Sequence, residues 1–246
     1  MITESGRDAQ DETCYTVGVM KPKNILWQLI FLGGVADILG FLLLFIPSGT
    51  FDFWQAWVYW GLFTAYLVIG TAWWYRIDPD FMERRLKVGP RAEKIVGEKI
   101  NAGILLVYLC FWVTIPGFDR RFHWSDVPLE VVIAGFVFSI LGLAFVVYTA
   151  VHNRYMAATI TVEENQPVIS TGPYAWVRHP MYTGTLVWFF VTPLALGSYW
   201  GILAAIPMPI ILLFRIFNEE KHLRENLQGY TEYCQKVKYR LLPFIW

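Results

Sequence analysis

The chain has 246 residues, of which 56% are hydrophobic and only 16% charged, with 12 Trp and 18 Phe. That balance excludes a water-soluble globule and points to a polytopic membrane protein, while a formal net charge of zero argues against a nucleic-acid partner. Cys14, Cys110 and Cys234 stand too far apart for a disulfide framework or a metal site.

Residues 1–24 are polar without a signal-peptide pattern and read as a mobile tail. Ile25 to Ile46 is the first expected span, carrying Asp37 among Gly33, Gly34, Ala36 and Gly40. Small residues let helices approach closely in lipid. An acid inside a span is either a functional site or a hydrogen-bond partner for a neighbouring helix. After a turn at Pro47 to Phe53, Trp54 to Tyr75 is the second span, with tryptophans near its ends as an aromatic belt requires. The polar loop Arg76 to Lys99 holds seven Lys/Arg. Within it, Asp80 to Lys87 places Phe81, Met82 and Leu86 on one helical face, suited to an interface or to a lid over a site. Asn101 to Phe118 is the third span, Asp119 to Val127 a turn, and Pro128 to Val151 the fourth span, with Gly135, Ser139 and Gly142 for packing. These four spans occupy residues 25–151.

Residues 152–246 read as the catalytic, cofactor-binding region. The insertion His152 to Tyr182 contains two backbone breaks, Gly172-Pro173 and His179-Pro180, because proline lacks a donor and restrains the residue before it. Ordered non-helical backbone at membrane depth survives only where protein buries it or where it lines a cavity. Leu186 to Leu196 and Trp200 to Phe217, joined by Gly197-Ser198, are short and interrupted by Pro193, Pro207 and Pro209, which suits a tight helical hairpin. Asn218 to Lys238 reads as an amphipathic helix on the cytoplasmic side, with a possible kink at Gly229. The expected fold is therefore an all-α polytopic bundle of about six membrane segments. With six crossings, one side carries every Lys/Arg except Arg120 and Arg121, so the site and both termini are expected to face the cytoplasm.

Several chemistries are missing. There is no Gly-x-Gly-x-x-Gly turn and no phosphate loop. Glu219-x-x-His222 has a metal-ligand spacing but no second copy, so no metal is expected. What remains is Gly172-Pro-Tyr-x-x-Val-Arg-His-Pro-x-Tyr-x-Gly184, then Arg215-x-x-x-Glu219-Glu220-x-x-Leu223, then Gly229-Tyr-x-x-Tyr233. The combination resembles the isoprenylcysteine carboxyl methyltransferase family and its relatives, the phospholipid N-methyltransferases, over about residues 152–246. The resemblance implies S-adenosylmethionine as methyl donor. It also implies a site between membrane and cytoplasm. The residues themselves give a cofactor set of Gly172, Pro173, Tyr174, His179, Pro180, Tyr182, Gly184, Glu219 and Glu220, with Arg178 and Arg215 as catalytic candidates, Arg178 because a planar guanidinium can hold an anionic group of the acceptor. The residue types agree: carboxylates for a diol or amine, ring donors and acceptors, and aromatic faces for a cationic sulfonium.

Each assignment has a structural rival. His179 can merely cap a helix, Arg178 can anchor to lipid phosphate, and Arg215 stands four residues before Glu219, the spacing of a helical ion pair. Asn153 and Arg154 read as snorkelling residues at the end of the fourth span. A membrane sterol-type reductase using NADPH carries a similar Arg-His-Pro stretch, but Met181 and Thr185 here depart from its pattern. A non-catalytic membrane binding protein is the third reading. The acceptor stays open between a prenylcysteine-like carboxylate, a lipid amine, a small thiol and another hydrophobic compound. A carboxylate needs no general base, and no clear base stands out.

Overall fold

A computed structural model describes residues 22–93 and 95–246. The expected tail at residues 1–24, Cys14 included, falls outside the described residues but for the first turn of the first helix. Among the described residues the regular structure is entirely helical. The helices are α1 (Pro22–Ser48), α2 (Trp54–Ile77), α3 (Pro79–Leu86), α4 (Val96–Phe122), α5 (Leu129–His152), a 3-10 turn (Gly172–Ala175), α6 (Pro180–Ala195), α7 (Trp200–Ala205), α8 (Pro207–Asn226) and α9 (Tyr230–Lys236). Four helical stretches are long and apolar enough to cross a membrane: Ile25–Ser48, Val96–Phe122, Leu129–His152 and the α7–α8 run Trp200–Asn226. The 24-residue α2 matches them in length, but it is rich in Trp and Tyr, which depress mean hydropathy. The 16-residue α6 spans roughly 24 Å, short of a hydrocarbon core of about 30 Å.

Small residues set the closest helix crossings. A methyl at Gly135 would stand 2.4 Å from the backbone nitrogen of Ala195, and one at Gly142 would stand 3.0 Å from the nitrogen of Trp188. Gly184 returns the approach from α6 against Phe145, Val146 and the carbonyl of Gly142. Ser139 Oγ and Thr192 Oγ1 meet at 3.4 Å in the same contact. The expected packing stripe of the fourth span is thus the α5–α6 seam. At the corresponding stripe of the first span none of the described residues lies within 4 Å of a methyl built at Gly33, Gly34 or Gly40. Instead α1 meets α4 near its end, where Gly117 lies against the carbonyl of Leu44. Asp37 takes the structural role, accepting a 2.7 Å hydrogen bond from Thr64 on α2.

Two expected boundaries move. The helix expected to begin at Asn218 does not begin there, because no breaker separates Phe217 from Asn226. Instead α8 runs unbroken from Pro207 and carries Glu219 and Glu220 as an extension of a membrane helix. The chain then turns at Gly229, whose φ of 85° lies in the left-handed region, and α9 follows as a separate element. Likewise α4 starts at Val96, not Asn101, and brings Glu98 into the protein interior. Within the 76–99 loop the expected helical face is present as α3. Asp78 caps it by accepting from the Phe81 backbone at 2.9 Å, and Pro79 sits in its first turn. Phe81 and Met82 are buried with Trp74 and Met156, so α3 is folded onto the bundle.

Candidate functional site

The Gly172–Gly184 stretch is held in place by backbone contacts at both ends. Gly172 has φ 57°, and any side chain there would collide with the ring of His152, 2.2 Å from the built methyl position. Tyr174 follows in the 3-10 turn. Its hydroxyl accepts from Asn153 Nδ2 at 3.1 Å, and its carbonyl accepts from the hydroxyl of Tyr233 at 2.8 Å. Burial pushes the Tyr174 phenol up to about 12, so it stays neutral at physiological pH. Further on, the backbone N–H groups of Arg178 and His179 each donate at 2.9 Å to the carbonyls of Tyr239 and Arg240. The C-terminal segment thereby satisfies the non-helical stretch just before Pro180 starts α6. His179 occupies the N-cap position, but its side chain makes no capping hydrogen bond.

The two adjacent glutamates do different things. Glu220 is buried and gathers charge: it accepts from Arg178 Nε at 2.7 Å, from Arg240 Nε at 3.1 Å and from Arg224 Nη2 at 3.4 Å, with His179 Nε2 at 3.4 Å. Arg178 also donates through Nη1 to the carbonyls of Val237 and Lys238 at 2.9 and 3.1 Å. Arg178 and Glu220 together therefore tie the motif, α8 and the C-terminal segment into one unit. Glu219 has a side chain 27% exposed and lines a cleft. One of its oxygens accepts from the Tyr182 hydroxyl at 2.6 Å.

Arg215 is not paired with Glu219, as a four-residue helical spacing suggests. The Tyr182 hydroxyl stands between them, accepting from Arg215 Nε at 2.9 Å and donating to Glu219. Arg215 Nη1 instead approaches Glu93 and Glu98, each at 3.3 Å, and Nη2 donates to the Ala158 carbonyl at 2.6 Å. Asn218 donates to the second oxygen of Glu98 at 2.6 Å. The α4 helix, the loop before it, the 152–179 insertion and α8 all converge on this arginine. Sequence reasoning missed Glu93 and Glu98, because both read as solvated loop acids. The one available signal was Glu98 with Asn101 one turn later at the edge of an apolar run.

The cleft has a cavity of about 100 Å³ that opens to solvent at its mouth. One wall is the 153–169 segment; the other is the start of α6 with α8 and α9. Of the expected site residues, Tyr174, Arg178, His179, Tyr182, Arg215 and Glu219 line it. Gly172, Pro173, Pro180, Gly184 and Glu220 lie outside its lining and shape the walls behind it. Tyr230, which the sequence placed in the Gly229-Tyr-x-x-Tyr233 motif without a role in the site, also lines the cleft; its hydroxyl is buried with no hydrogen-bond partner among the described residues. An orphaned buried donor is costly and marks a place for a ligand. With the carboxylate of Glu219 and the stacked rings of His179 and Tyr182, 5.6 Å apart, it fits a ligand bearing a diol or amine and an aromatic base.

A second, larger cavity adjoins it. A groove with a cavity of about 610 Å³ runs between α2 and α5 under α3 and is lined almost wholly by apolar side chains. Met156 and Met181 line both cavities. The polar cleft and the apolar groove therefore meet across these two flexible side chains.

Residues 131–229 match the model of the phospholipid methyltransferase family. The chain is 31% identical over 199 residues to the probable protein-S-isoprenylcysteine O-methyltransferases of Oryza sativa subsp. indica and subsp. japonica, covering 78% of this chain and 97% of each relative. It is 29% identical over 139 residues to protein-S-isoprenylcysteine O-methyltransferase B of Arabidopsis thaliana, covering 54% of this chain and 66% of that one. The chain belongs to the protein-S-isoprenylcysteine O-methyltransferase family and is a methyltransferase. That family and its four apolar helical stretches make it an integral membrane protein.

Proposed function

We propose that this methyltransferase uses S-adenosylmethionine to esterify the carboxylate of a lipophilic acceptor of the prenylcysteine class. The observation that carries the reading is the pair of cavities sharing Met156 and Met181, one with polar groups for a water-soluble donor, the other apolar for a hydrocarbon chain. Bound in the cleft, the donor supplies an electrophilic methyl group on a sulfonium. Glu219, Tyr230, Tyr174, His179 and Tyr182 would hold it, while Gly172, Pro173, Pro180 and Gly184 would shape the backbone behind. Arg178 and Arg215 act as positioning residues, the first through Glu220 and the C-terminal segment, the second through the Tyr182–Glu219 pair. The transfer balances without a base. A carboxylate oxygen bonds to the methyl carbon, the carbon–sulfur electron pair returns to sulfur, and the products are a neutral ester and S-adenosylhomocysteine. Orientation and exclusion of water are then the main contributions the protein makes.

In this reading α2 and α6 also traverse the bilayer, giving six crossings, and the basic end of the molecule faces the cytoplasm. The acceptor enters sideways between α2 and α5. The test is a labelled methyl-transfer assay with four acceptors: an S-farnesylated N-acetylcysteine, a lipid amine, a small thiol and a neutral hydrophobic alcohol. Label released as methanol by base, from the first acceptor alone, is expected. Base-stable label on the amine or thiol, or tight NADPH binding with no transfer, would overturn the proposal.

A further inference from the structure

We propose that Arg85 is the anion-binding residue of the apolar groove, holding the acceptor's carboxylate where groove and cleft meet; this rests on the carboxylate reading above. Arg85 is the one charged residue among those lining the groove. It projects from α3, which is fixed by its Asp78 cap and by buried Phe81 and Met82. Its one hydrogen bond among the described residues, from Nη1 to the Ala157 carbonyl, is at the 3.5 Å limit of such contacts. Ala157 lines the cleft and is adjacent to Met156, so this contact lies at the seam between the cavities.

What sets Arg85 apart from the other partly buried arginines is that no carboxylate among the described residues pairs with it. Its neighbour Arg84 reaches Glu163 at 3.4 Å and Asp78 at 3.9 Å. Arg178 and Arg240 share Glu220, and Arg215 has Glu93 and Glu98. Among the described residues no acid stands within ion-pair distance of Arg85, and the nearby cation Arg215 is of like charge. Burial lowers its pKa, as expected of a cation short of counter-charge. A guanidinium in an apolar groove selects the sign of its ligand. It repels an ammonium and takes a carboxylate with two parallel bonds. It also favours turnover, because the ester product is neutral and loses the ion pair that held the acid.

The experiment measures binding of an S-farnesylated N-acetylcysteine and of its uncharged carboxamide to the full-length protein in phosphatidylcholine nanodiscs with saturating S-adenosylhomocysteine. The parent is expected to prefer the acid by about 10- to 100-fold, the worth of a hydrogen bond to a charged group. Arg85→Gln is expected to abolish that preference and Arg85→Lys to restore part of it, with S-adenosylhomocysteine affinity unchanged in both. Retention of the preference by Arg85→Gln overturns the assignment, as does a parallel loss of S-adenosylhomocysteine binding. Nanodiscs containing phosphatidylglycerol separate the two sources of anion. If anionic lipid erases the parent's preference for the acid, the site belongs to a lipid headgroup and the assignment fails. A parent that binds S-adenosylhomocysteine yet never discriminates acid from amide sinks the carboxylate reading itself.

Discussion

Replacing Glu220 by Gln and Glu219 by Gln, one at a time, separates architecture from ligand binding at adjacent positions. Glu220 has a side chain only 4% exposed, and its two oxygens serve three arginines and His179. An amide keeps one acceptor but loses the charge and presents an N–H₂ toward guanidinium groups. Removing one partner of a buried charge cluster costs about 3–5 kcal/mol. Partial exposure of Arg240 and Arg224, at 25% and 50%, lets water recover some of that, so the lower end, ~3 kcal/mol, applies. Glu219→Gln retains an acceptor for the Tyr182 hydroxyl, so the fold is expected to survive, while S-adenosylhomocysteine affinity falls roughly 10- to 100-fold. Thermal unfolding in detergent, followed by tryptophan fluorescence, and titration calorimetry read the two effects. The reasoning is refuted if Glu220→Gln melts with the parent, or if Glu219→Gln binds S-adenosylhomocysteine at parental affinity.

Other expectations follow from the same geometry. Ala144→Trp would narrow the apolar groove from a site away from the cleft. It should raise the KM of a farnesylated acceptor about tenfold without changing donor affinity, an expectation checked by steady-state kinetics with both substrates varied. Gly135→Ala would drive a methyl into the Ala195 backbone, 2.4 Å away, and should cost at least about 1–3 kcal/mol, visible as a lower melting temperature. An unshifted melt would mean that α5 and α6 cross more loosely than described. For sidedness, single cysteines at the exposed positions Lys87 and Asp126, in a background lacking the native three, should label from opposite faces of sealed vesicles. Labelling of both from one face would overturn the orientation.

The sequence by itself determined that the protein is helical and membrane-bound, and it singled out residues 172–184 and 215–233, which the fold brings to one cleft. Hydropathy over 20 or more residues, proline breaks and motif order are local properties and need no partner to be read. The α5–α6 seam was legible for the same reason, since Gly135 and Gly142 lie one above the other on one helix face. Local periodicity failed where burial is decided by a distant segment. Glu93 and Glu98 look solvated until α8 delivers Arg215 to them, and the Gly33–Gly40 stripe looks like an interface although none of the described residues packs on it. Only the tertiary structure divided the glutamate pair. Neighbours on a helix point about 100° apart, so Glu219 faces the cleft while Glu220 turns to Arg178 of the motif and Arg240 of the C-terminal segment. It likewise decided that Met156 and Met181, 25 residues apart and plain apolar residues in the sequence, stand together where a polar cleft meets an apolar groove, because that junction exists only once α2, α3, α5 and α6 have assembled around it.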